Sequence, residues 1–249
     1  MKILFLPLLI GISVASISSE PAERLDRTAL FDNCKKLAES KKSFRAYDRG
    51  AIRTFHLSSA SYKGAGRENI GIILDEIERR NLHGDTRQVA YVLGTTFRET
   101  ASTMRPVHEA MGCKTETCIH KNLGAYAQPK GNGKSYYGRG FSQLTHDYNY
   151  EKFGKLLGLQ PETALYDNPD LALQTETAAA ILIIGMFDGA FTDKYRLSQF
   201  FDGSKTDWIG ARKIVSAKSP RAPVTAGYAM LFHECLTGQS HFDHGALIE

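Results

Sequence analysis

The sequence lacks several features that would place it in other classes of protein. It has no internal repeats and no low-complexity tracts, so neither a repeat array nor a disordered chain is indicated. Beyond its first residues no apolar run is long enough to cross a bilayer, and we expect no membrane partner. The formal net charge is only +4, far from the profile of a nucleic-acid-binding domain. Strand signals are sparse, which favours a mainly α fold.

The first residues have the pattern of an export signal. Lys2 is followed by an apolar run at 3–14 and then by small residues around Ala15 and Ser18. This order of a positive region, an apolar core and a small-residue cleavage site is typical of a secretory signal peptide. We therefore predict a signal peptide at 1–18, cleaved after Ala15 or after Ser18, and a secreted protein. Its removal takes away one lysine, so the formal charge falls from +4 to +3.

The four cysteines are interpreted as two disulfides, because exported proteins meet an oxidising compartment. Cys113 and Cys118 lie close together in the sequence and are expected to pair with each other. Cys34 and Cys235 then remain to join the N-terminal extension to the C-terminal helix, which closes a long loop.

Two groups of residues raise the question of a metal site. Cys113, Cys118 and His120 could hold zinc, but they lack an obvious fourth ligand nearby and export disfavours free thiols. His241 and His244 near the C-terminus are more typical of a frayed tail. We therefore predict no metal and no other cofactor.

Helical periodicity is clearest before residue 100. The apolar residues of 68–81 recur every three or four positions, as in a helix packed on one face. Asp85 or Thr86 can cap a second helix. The inward residues of that helix are Val89, Val92, Leu93, Thr96 and Phe97. Glu99 falls about 280° round the helical wheel from Val89, on the margin of the buried face.

The same patterns of composition and periodicity predict the organisation of the rest of the chain. We predict a helical, charge-rich N-terminal extension at 19–66 and a main domain at 67–249. Gly, Lys, Asn and Thr are frequent at 112–135, which predicts a loop with a small β-hairpin near it. Further helices are predicted at 148–157, 175–187, 208–215 and 224–235, with 175–187 as the central buried helix. The whole is a mainly α, single-domain protein that we expect to be monomeric.

The most informative stretch is 136–150, which reads Tyr-Tyr-Gly-Arg-Gly-Phe-Ser-Gln-Leu-Thr-His-Asp-Tyr-Asn-Tyr. Its tyrosines are accompanied by amide and hydroxyl side chains. Such a combination is suited to a groove for a sugar chain, because aromatic rings pack on pyranose faces and amides bond the hydroxyl groups. A helix start with half-buried tyrosines is the alternative that composition alone leaves open.

This stretch resembles the signature of the family 19 glycoside hydrolases, which include plant and bacterial chitinases and bacteriophage endolysins. Two further blocks agree in order and spacing. Residues 90–100 with 104–110 resemble the segment that carries the family acid, and 167–171 resembles the family element Asn-Pro-Asp-Leu. The resemblance runs from about residue 68 to about residue 232, and the endolysin branch fits best. It implies a lysozyme-like helical domain with a two-lobed cleft and a polysaccharide substrate.

The resemblance also implies catalytic roles. Glu99 occupies the position of the family acid, and Glu109 matches the second carboxylate of the endolysin-like branch. Glu116, between two cysteines, is the alternative base, because it lies nearer the loop where plant-type chitinases carry theirs. Thr145 resembles the Ser or Thr that holds the nucleophilic water, a role that needs a group able to donate and accept. Two carboxyl groups on opposite walls imply an inverting mechanism.

Four residues of the 136–150 stretch are expected to shape the binding site. Gln143 and Asn149 resemble substrate-binding positions. Tyr137 and Arg139 are grouped with the substrate-binding residues but are expected to be structural or orienting, with Arg139 pairing with a carboxylate across the cleft.

The chain departs from the family pattern at two positions. Arg98 stands where the family usually has His, so the acid has a permanent cation as its neighbour, which favours its charged form. Ser216 stands where many relatives have Asn-Gly in a late substrate-binding loop, and its side chain is too short to span the same distance.

Three functions remain in competition. The favoured one is hydrolysis of β-1,4 bonds between N-acetylated amino sugars of peptidoglycan, supported by the endolysin-like spacing, the mild basicity and the lack of a separate chitin-binding domain in the sequence. The second is the same reaction on chitin. The third is a carbohydrate-binding protein on a weakened enzyme scaffold, which the departures at Arg98 and Ser216 favour. The carboxylates Glu99 and Glu109 argue against this last function.

Overall fold

The computed structural model describes residues 24–216 and 220–249, so the signal peptide predicted at 1–18 lies outside the described residues. Helices dominate these two ranges and confirm the mainly α prediction. The helices are α1 (Arg27–Glu39), α2 (Gly64–Arg79), α3 (Thr86–Glu99), α4 (Glu116–Leu123), α5 (Asp147–Leu156), α6 (Ala164–Asp167), α7 (Thr175–Ile183) and α8 (Ala222–Thr237). The strands are β1 (Ser43–Asp48), β2 (Ala51–His56), β3 (Val107–His108), β4 (Arg139–Gly140), β5 (Phe201–Asp202), β6 (Lys205–Thr206) and β7 (Ala246–Ile248). In the described ranges, no helix combines the length and the apolar character that a membrane crossing needs.

The helix that leads to the site forms as its sequence predicts. Asp85 caps α3, and its carboxylate accepts a hydrogen bond from the backbone N–H of Arg87 at 2.9 Å. This bond satisfies one of the N–H groups left open at a helix start. The residues predicted to face inward, Val89, Val92, Leu93, Thr96 and Phe97, are all buried. The buried face fixes the rotation of α3 and therefore the direction of Glu99, its last residue.

α3 packs closely against α8, and Gly94 makes this approach possible. A Cβ atom at Gly94 would lie 2.5 Å from the backbone nitrogen of Ala229, so any side chain would push the two helices apart. Next to this crossing the Phe97 ring packs on Tyr228 and Phe232, with ring centroids 4.8 and 5.7 Å away. The α3–α8 pair belongs to the larger of the hydrophobic cores and anchors the C-terminal end of α3.

The N-terminal segment is helical only in part, which corrects the prediction of a helical extension at 19–66. After α1, the strands β1 and β2 form an antiparallel hairpin, and β7 pairs with β1 in parallel. Alternate residues of β1, including Phe44 and Ala46, are buried in the same core as α3 and α8. The disulfide between Cys34 and Cys235 joins α1 to α8, as predicted. The described part of this segment therefore packs against the same core as α3 and α8.

A second lobe is built around α5, α6 and one face of α7. Its core contains Tyr136, Leu144, Tyr150, Phe153, Leu165, Ala172, Ile181, Ile184 and Ala190. α7 divides its apolar residues between the lobes, because Ala178 and Leu182 pack in the larger core and Ile181 packs in the smaller one. This double burial explains why α7 is apolar on all sides, and it confirms 175–187 as the central buried segment.

Two segments differ from their predicted structure. The stretch predicted as a loop at 112–135 contains α4, which Thr115 caps and Gly124 ends. The short pairing of β3 with β4 supplies the small hairpin predicted near it. The helix predicted at 208–215 is a 3-10 turn, Gly210–Ile214, and the predicted helix at 224–235 forms within α8.

Candidate active site

Two adjacent cavities lie between the lobes and share Glu109, Gln143 and Thr145 in their walls. The smaller one, of about 350 Å³, also exposes Glu99, and we call it the Glu99 cavity. The larger one, of about 540 Å³, also exposes Tyr148, and we call it the Tyr148 cavity. Together they form a groove. The groove brings together the residues predicted to be catalytic, Glu99, Glu109 and Thr145.

Glu99 lies at the C-terminal end of α3, where the helix dipole disfavours an anion. Its Oε1 forms an ion pair with Nη1 of Arg212 at 2.6 Å, and both side chains are largely buried, with 14% and 7% of their surfaces exposed. Arg212 comes from the 3-10 turn that precedes α8. Because the ion pair offsets the unfavourable dipole, the carboxylate is held in one position at the cavity wall. Arg212 has no motif around it, and sequence reasoning missed it.

Arg98, the departure noted in the sequence, pairs with a different carboxylate. Its Nη2 lies 3.5 Å from Oδ1 of Asp48, at the tip of the β1–β2 hairpin. Burial, followed by the nearby charge of Arg221, lowers the pKa of Arg98. Asp48 is only 8% exposed and so offsets the Arg98 charge inside the protein. The cation paired with Glu99 is therefore Arg212, whereas the sequence had suggested Arg98.

Glu109 follows β3 directly and is fixed through its backbone and its side chain. Its N–H donates to the carbonyl oxygen of Gly138 at 2.7 Å, and its Oε2 accepts from the Gly138 N–H at 3.2 Å. The hydroxyl of Tyr126 also donates to this oxygen. Burial and the bond to Glu109 raise the pKa of Tyr126, so this phenol stays a donor. These donors hold Glu109 facing the groove.

The polar residues of the groove floor are tied to one another. The hydroxyl of Thr145 donates to the carbonyl oxygen of Gln143 at 2.8 Å. Nε2 of Gln143 donates to the Val107 carbonyl at 2.8 Å, and Nδ2 of Asn149 donates to the Thr145 carbonyl at 2.8 Å. The predicted water-holding and substrate-binding residues therefore line the groove as a connected group. Ser216, the second departure, also lines the Tyr148 cavity.

Tyr137 and Arg139 are buried rather than exposed to substrate in the groove. They are 3% and 4% exposed, and the Arg139 guanidinium stacks on the Tyr137 ring at 3.8 Å. Arg139 pairs with a carboxylate, since its Nε lies 2.8 Å from Oδ1 of Asp170, but Asp170 lines the same separate cavity as Arg139 rather than the opposite wall of the groove. Asp170 belongs to the Asn-Pro-Asp-Leu element. Tyr137 and Arg139 therefore support the wall of the groove from behind, which agrees with the structural or orienting role expected for them rather than with direct contact to substrate.

Glu116, the alternative base, faces another cavity. Its Oε1 accepts a 2.6 Å hydrogen bond from the Tyr137 hydroxyl, and its Oε2 lies 3.0 Å from Nε2 of His120. The cavity it lines, of about 410 Å³, also contains Arg139 and Asp170 and shares no lining residue with the groove. The geometry therefore favours Glu109 over Glu116 as the partner of Glu99.

Aromatic side chains form one wall of the Tyr148 cavity. Tyr148 is 63% exposed and stacks on His146 with ring centroids 5.5 Å apart and an interplanar angle of 10°. Tyr126 packs edge-on against His146 at 6.4 Å. The tyrosine-rich stretch thus supplies both a buried support and an exposed surface suited to pyranose faces. Tyr126, which lies in the segment predicted as a loop, was not identified from the sequence.

The cysteines and histidines have structural partners. Cys113 and Cys118 form a disulfide, so they have no thiolates to offer zinc beside His120. His241 is packed rather than frayed, because its Nε2 lies 2.7 Å from Nδ1 of His233. Within the described ranges, no three His, Cys, Asp or Glu side chains are arranged to hold a metal ion.

Comparison with known proteins agrees with the sequence motifs. Residues 82–188 match glycoside hydrolase family 19, described as chitinase class I. Chitinase C from Streptomyces griseus HUT6037 is similar at 19% identity, covering 70% of this chain and 70% of that chain, with a TM-score of 0.40. A bacterial family 19 chitinase is similar at 18% identity, covering 72% of this chain and 90% of that chain, with a TM-score of 0.42. The similarity to family 19 of the glycoside hydrolases is therefore shown for residues 82–188 of the chain.

Proposed function

We propose that the protein is an exported, inverting hydrolase that cleaves β-1,4 bonds between N-acetylated amino sugars of peptidoglycan without a cofactor. In this proposal Glu99 is the general acid, Glu109 is the general base, and Thr145 holds the attacking water. The observation that carries the proposal is that all three residues line the Glu99 cavity. The two disulfides support export, because such bonds persist in oxidising compartments.

The positions of the two carboxylates suit inversion. An inverting enzyme protonates the leaving oxygen on one face of the sugar and activates water on the other, with carboxyl groups about 6.5–9.5 Å apart. Ten residues of continuous helix would separate Glu99 and Glu109 by about 15 Å. Here the helix ends at Glu99, and Glu109 follows the short strand β3. The chain thus turns back and places both groups on one cavity.

The surroundings of the carboxylates differ, as unequal roles require. Glu99 is held in a largely buried position beside Arg212. After Glu99 has given its proton to the leaving oxygen, Arg212 stabilises the carboxylate that remains. Glu109 accepts hydrogen bonds from neutral donors, the Tyr126 hydroxyl and the Gly138 N–H, which orient it toward a water. Thr145, between the two cavities, can both donate to and accept from that water.

The Tyr148 cavity provides the binding surface for the sugar chain. Tyr148 and Tyr126 present aromatic surface, and Gln143 and Asn149 add amide groups at the floor. In this arrangement, sugar rings pack on the aromatic wall and N-acetyl and hydroxyl groups bond to the floor. The sugar chain then continues into the Glu99 cavity, where cleavage takes place.

Chitin is the second candidate substrate. The family that residues 82–188 match is described as chitinase class I. The same acid and base serve either polymer. A weakened, carbohydrate-binding protein is the third candidate, since Arg98 and Ser216 depart from the family pattern at the groove.

Release of reducing sugar from purified peptidoglycan and from colloidal chitin, measured side by side, tests the proposal. We expect faster release from peptidoglycan, and none from either polymer with Glu99→Gln. Release from chitin alone would establish the second candidate. Binding of both polymers without release would establish the third.

NMR of the first product tests the mechanism separately. Inversion of a β-linked chain gives an α-anomer first. A β-anomer appearing first would mean retention, and Glu109 would then have a different role.

A further inference from the structure

The tip of the β1–β2 hairpin lies at the Glu99 cavity. β1 ends at Asp48 and β2 begins at Ala51, so the turn consists of Arg49 and Gly50 alone. Arg49 lines the cavity together with Glu99, although the two residues are fifty positions apart in the sequence. This hairpin precedes the segment that matches the family, residues 82–188. It adds a wall to the catalytic cavity that the matched segment does not supply.

Arg49 occupies a turn position at which its backbone conformation is unfavourable. Its φ is +52° and that of Gly50 is +86°, so both central residues of the two-residue hairpin turn are left-handed. Turns of this kind favour Asn-Gly or Gly-Gly, because a long side chain is strained at positive φ. An arginine there weakens the local structure. A strained residue on a catalytic cavity points to a role beyond the turn.

The cavity wall beside Arg49 carries three guanidinium groups. Arg49, Arg98 and Arg221 all line the Glu99 cavity. One carboxylate, that of Asp48, lies 3.5 Å from Arg98, 3.9 Å from Arg221 and 4.0 Å from Arg49. Three guanidiniums thus lie within 4.0 Å of one buried carboxylate. The attraction between Asp48 and Arg98 holds the hairpin against α3, and this contact does not need Arg49.

Arg49 is the most accessible of these cations. Its side chain is 68% exposed, against 41% for Arg221 and 16% for Arg98. A guanidinium at the mouth of a groove matches a carboxylate, with which it forms charge-assisted hydrogen bonds. A neutral polymer of N-acetylated sugars offers no such group. A polymer whose sugars carry acid groups does.

We propose that Arg49, supported by Arg221, binds a carboxylate of an acidic amino-sugar polymer at the Glu99 end of the groove. This inference rests on the proposed function and narrows its substrate to the carboxylate-bearing form of the glycan. The carboxylate belongs either to the lactyl ether of the sugar or to an attached peptide, and the chemistry of recognition is the same. Arg49 acts on binding, so its loss raises KM and leaves kcat unchanged.

Arg49→Gln is the test variant, and Arg79→Gln is the matched control. Arg79 is also exposed and beside a carboxylate, with 65% of its side chain accessible, but it lies at the end of α2. Three soluble substrates are compared: peptide-free glycan with free lactyl carboxylates, the same glycan with those carboxylates converted to amides, and neutral chito-oligosaccharides. We expect Arg49→Gln to raise KM roughly fivefold to tenfold on the acidic glycan only. Arg79→Gln should match the wild type on all three.

A second variant separates binding from folding. Arg49→Gly relieves the strain of the turn, so it should keep or raise the thermal midpoint while raising KM on the acidic glycan as Arg49→Gln does. Arg49→Lys should restore part of the affinity. A fall in the midpoint of Arg49→Gly would show that Arg49 is structural and would overturn the proposal.

Several outcomes distinguish this proposal from the proposed function. An equal rise in KM on chito-oligosaccharides would mean that Arg49 contacts the sugar backbone, which overturns the carboxylate role alone. Peptide-bearing glycan is a fourth substrate, and an effect of Arg49→Gln on it but not on the peptide-free form would assign the carboxylate to the peptide. If the wild type cleaves no acidic glycan, the proposed substrate is wrong, and inhibition of chito-oligosaccharide hydrolysis by that glycan then measures binding directly. Equal inhibition of wild type and Arg49→Gln would overturn the inference as well.

Discussion

The pair of histidines His233 and His241 predicts how the stability of this fold depends on pH. His233, on α8, is 6% exposed, and its Nδ1 shares a 2.7 Å hydrogen bond with Nε2 of His241. Its Nε2 lies 3.1 Å from the hydroxyl of Thr86 at the start of α3. The Trp208 ring packs against both imidazoles, at 5.7 and 5.5 Å. A proton added to His233 would place a cation in this packed site.

Burial, and then the neighbouring His241, lower the pKa of His233 to about 4, while the nearby Asp85 and Arg87 act in opposite directions. Burial also lowers the pKa of His241. The unfolded chain has an ordinary histidine pKa of about 6.5, so below that pH it binds more protons than the folded chain. Stability is therefore complete above about pH 6.5 and is lost as the pH falls toward 4. From the His233 shift alone, the loss is about 2 kcal/mol at pH 5 and about 3 kcal/mol at pH 4.

Urea unfolding at pH 7, 5 and 4 measures this loss of unfolding free energy. A variant without His233 separates the contribution of that histidine from the contribution of the carboxylates, which also titrate in this range. His233→Asn removes the titrating group, so we expect its free energy of unfolding to fall less with pH than that of the wild type, by about 2 kcal/mol between pH 7 and 5. His56→Asn, at an exposed position on β2, should keep the wild-type slope. Parallel pH curves for wild type and His233→Asn would refute the reasoning, whatever their offset.

Three further predictions concern the reaction. Glu99→Gln should lose about a hundredfold or more in rate, because an amide cannot act as a general acid. It should also be less stable because the buried Arg212 loses its carboxylate, so rates are compared for samples shown to be folded by circular dichroism; a variant with a tenth of the wild-type rate would remove Glu99 from that role. Glu109→Gln should show a similar loss and recover in part with azide, whereas an unchanged rate would point back to Glu116. Thr145→Ala should lower kcat more than it raises KM, since it positions water rather than sugar; steady-state kinetics with a change in KM alone would contradict this.

The helices could be predicted from the sequence because their signals are local. In α2 and α3, apolar residues recur every three or four positions because one face of each helix is buried. In α7 the apolar run is unbroken because the helix is buried on more than one face. The β1–β2 hairpin could not be predicted in the same way. Its buried face depends on α8, and β1 completes its pairing only with β7, about two hundred residues away. α4 was missed because it is short and mostly polar, with a single fully buried residue, Ile119.

The same distinction applies to the candidate site: residues in local motifs could be predicted from the sequence, and residues whose role depends on tertiary packing could not. Glu99, Glu109 and Thr145 lie in contiguous motifs, so their identity and spacing could be recognised without any structure. The role of Tyr137 could not, because its burial depends on the second lobe and on α4, whose Glu116 accepts its hydroxyl. The motif also does not say which carboxylate Arg139 binds.

Several of the charges around Glu99 and Glu109 come from outside the matched segment. Residues 82–188 supply Glu99 and Glu109, whereas the cation on Glu99 is Arg212 and the cations at the cavity mouth are Arg49 and Arg221. The family match therefore covers the two carboxylates, whereas the arginines that we propose to select the polymer lie in the N-terminal hairpin and near the start of α8. If the carboxylates alone set specificity, exchanging the hairpin tip would leave the preference for acidic over neutral glycan unchanged. If the surrounding arginines set it, the preference changes while the chemistry at Glu99 and Glu109 stays the same.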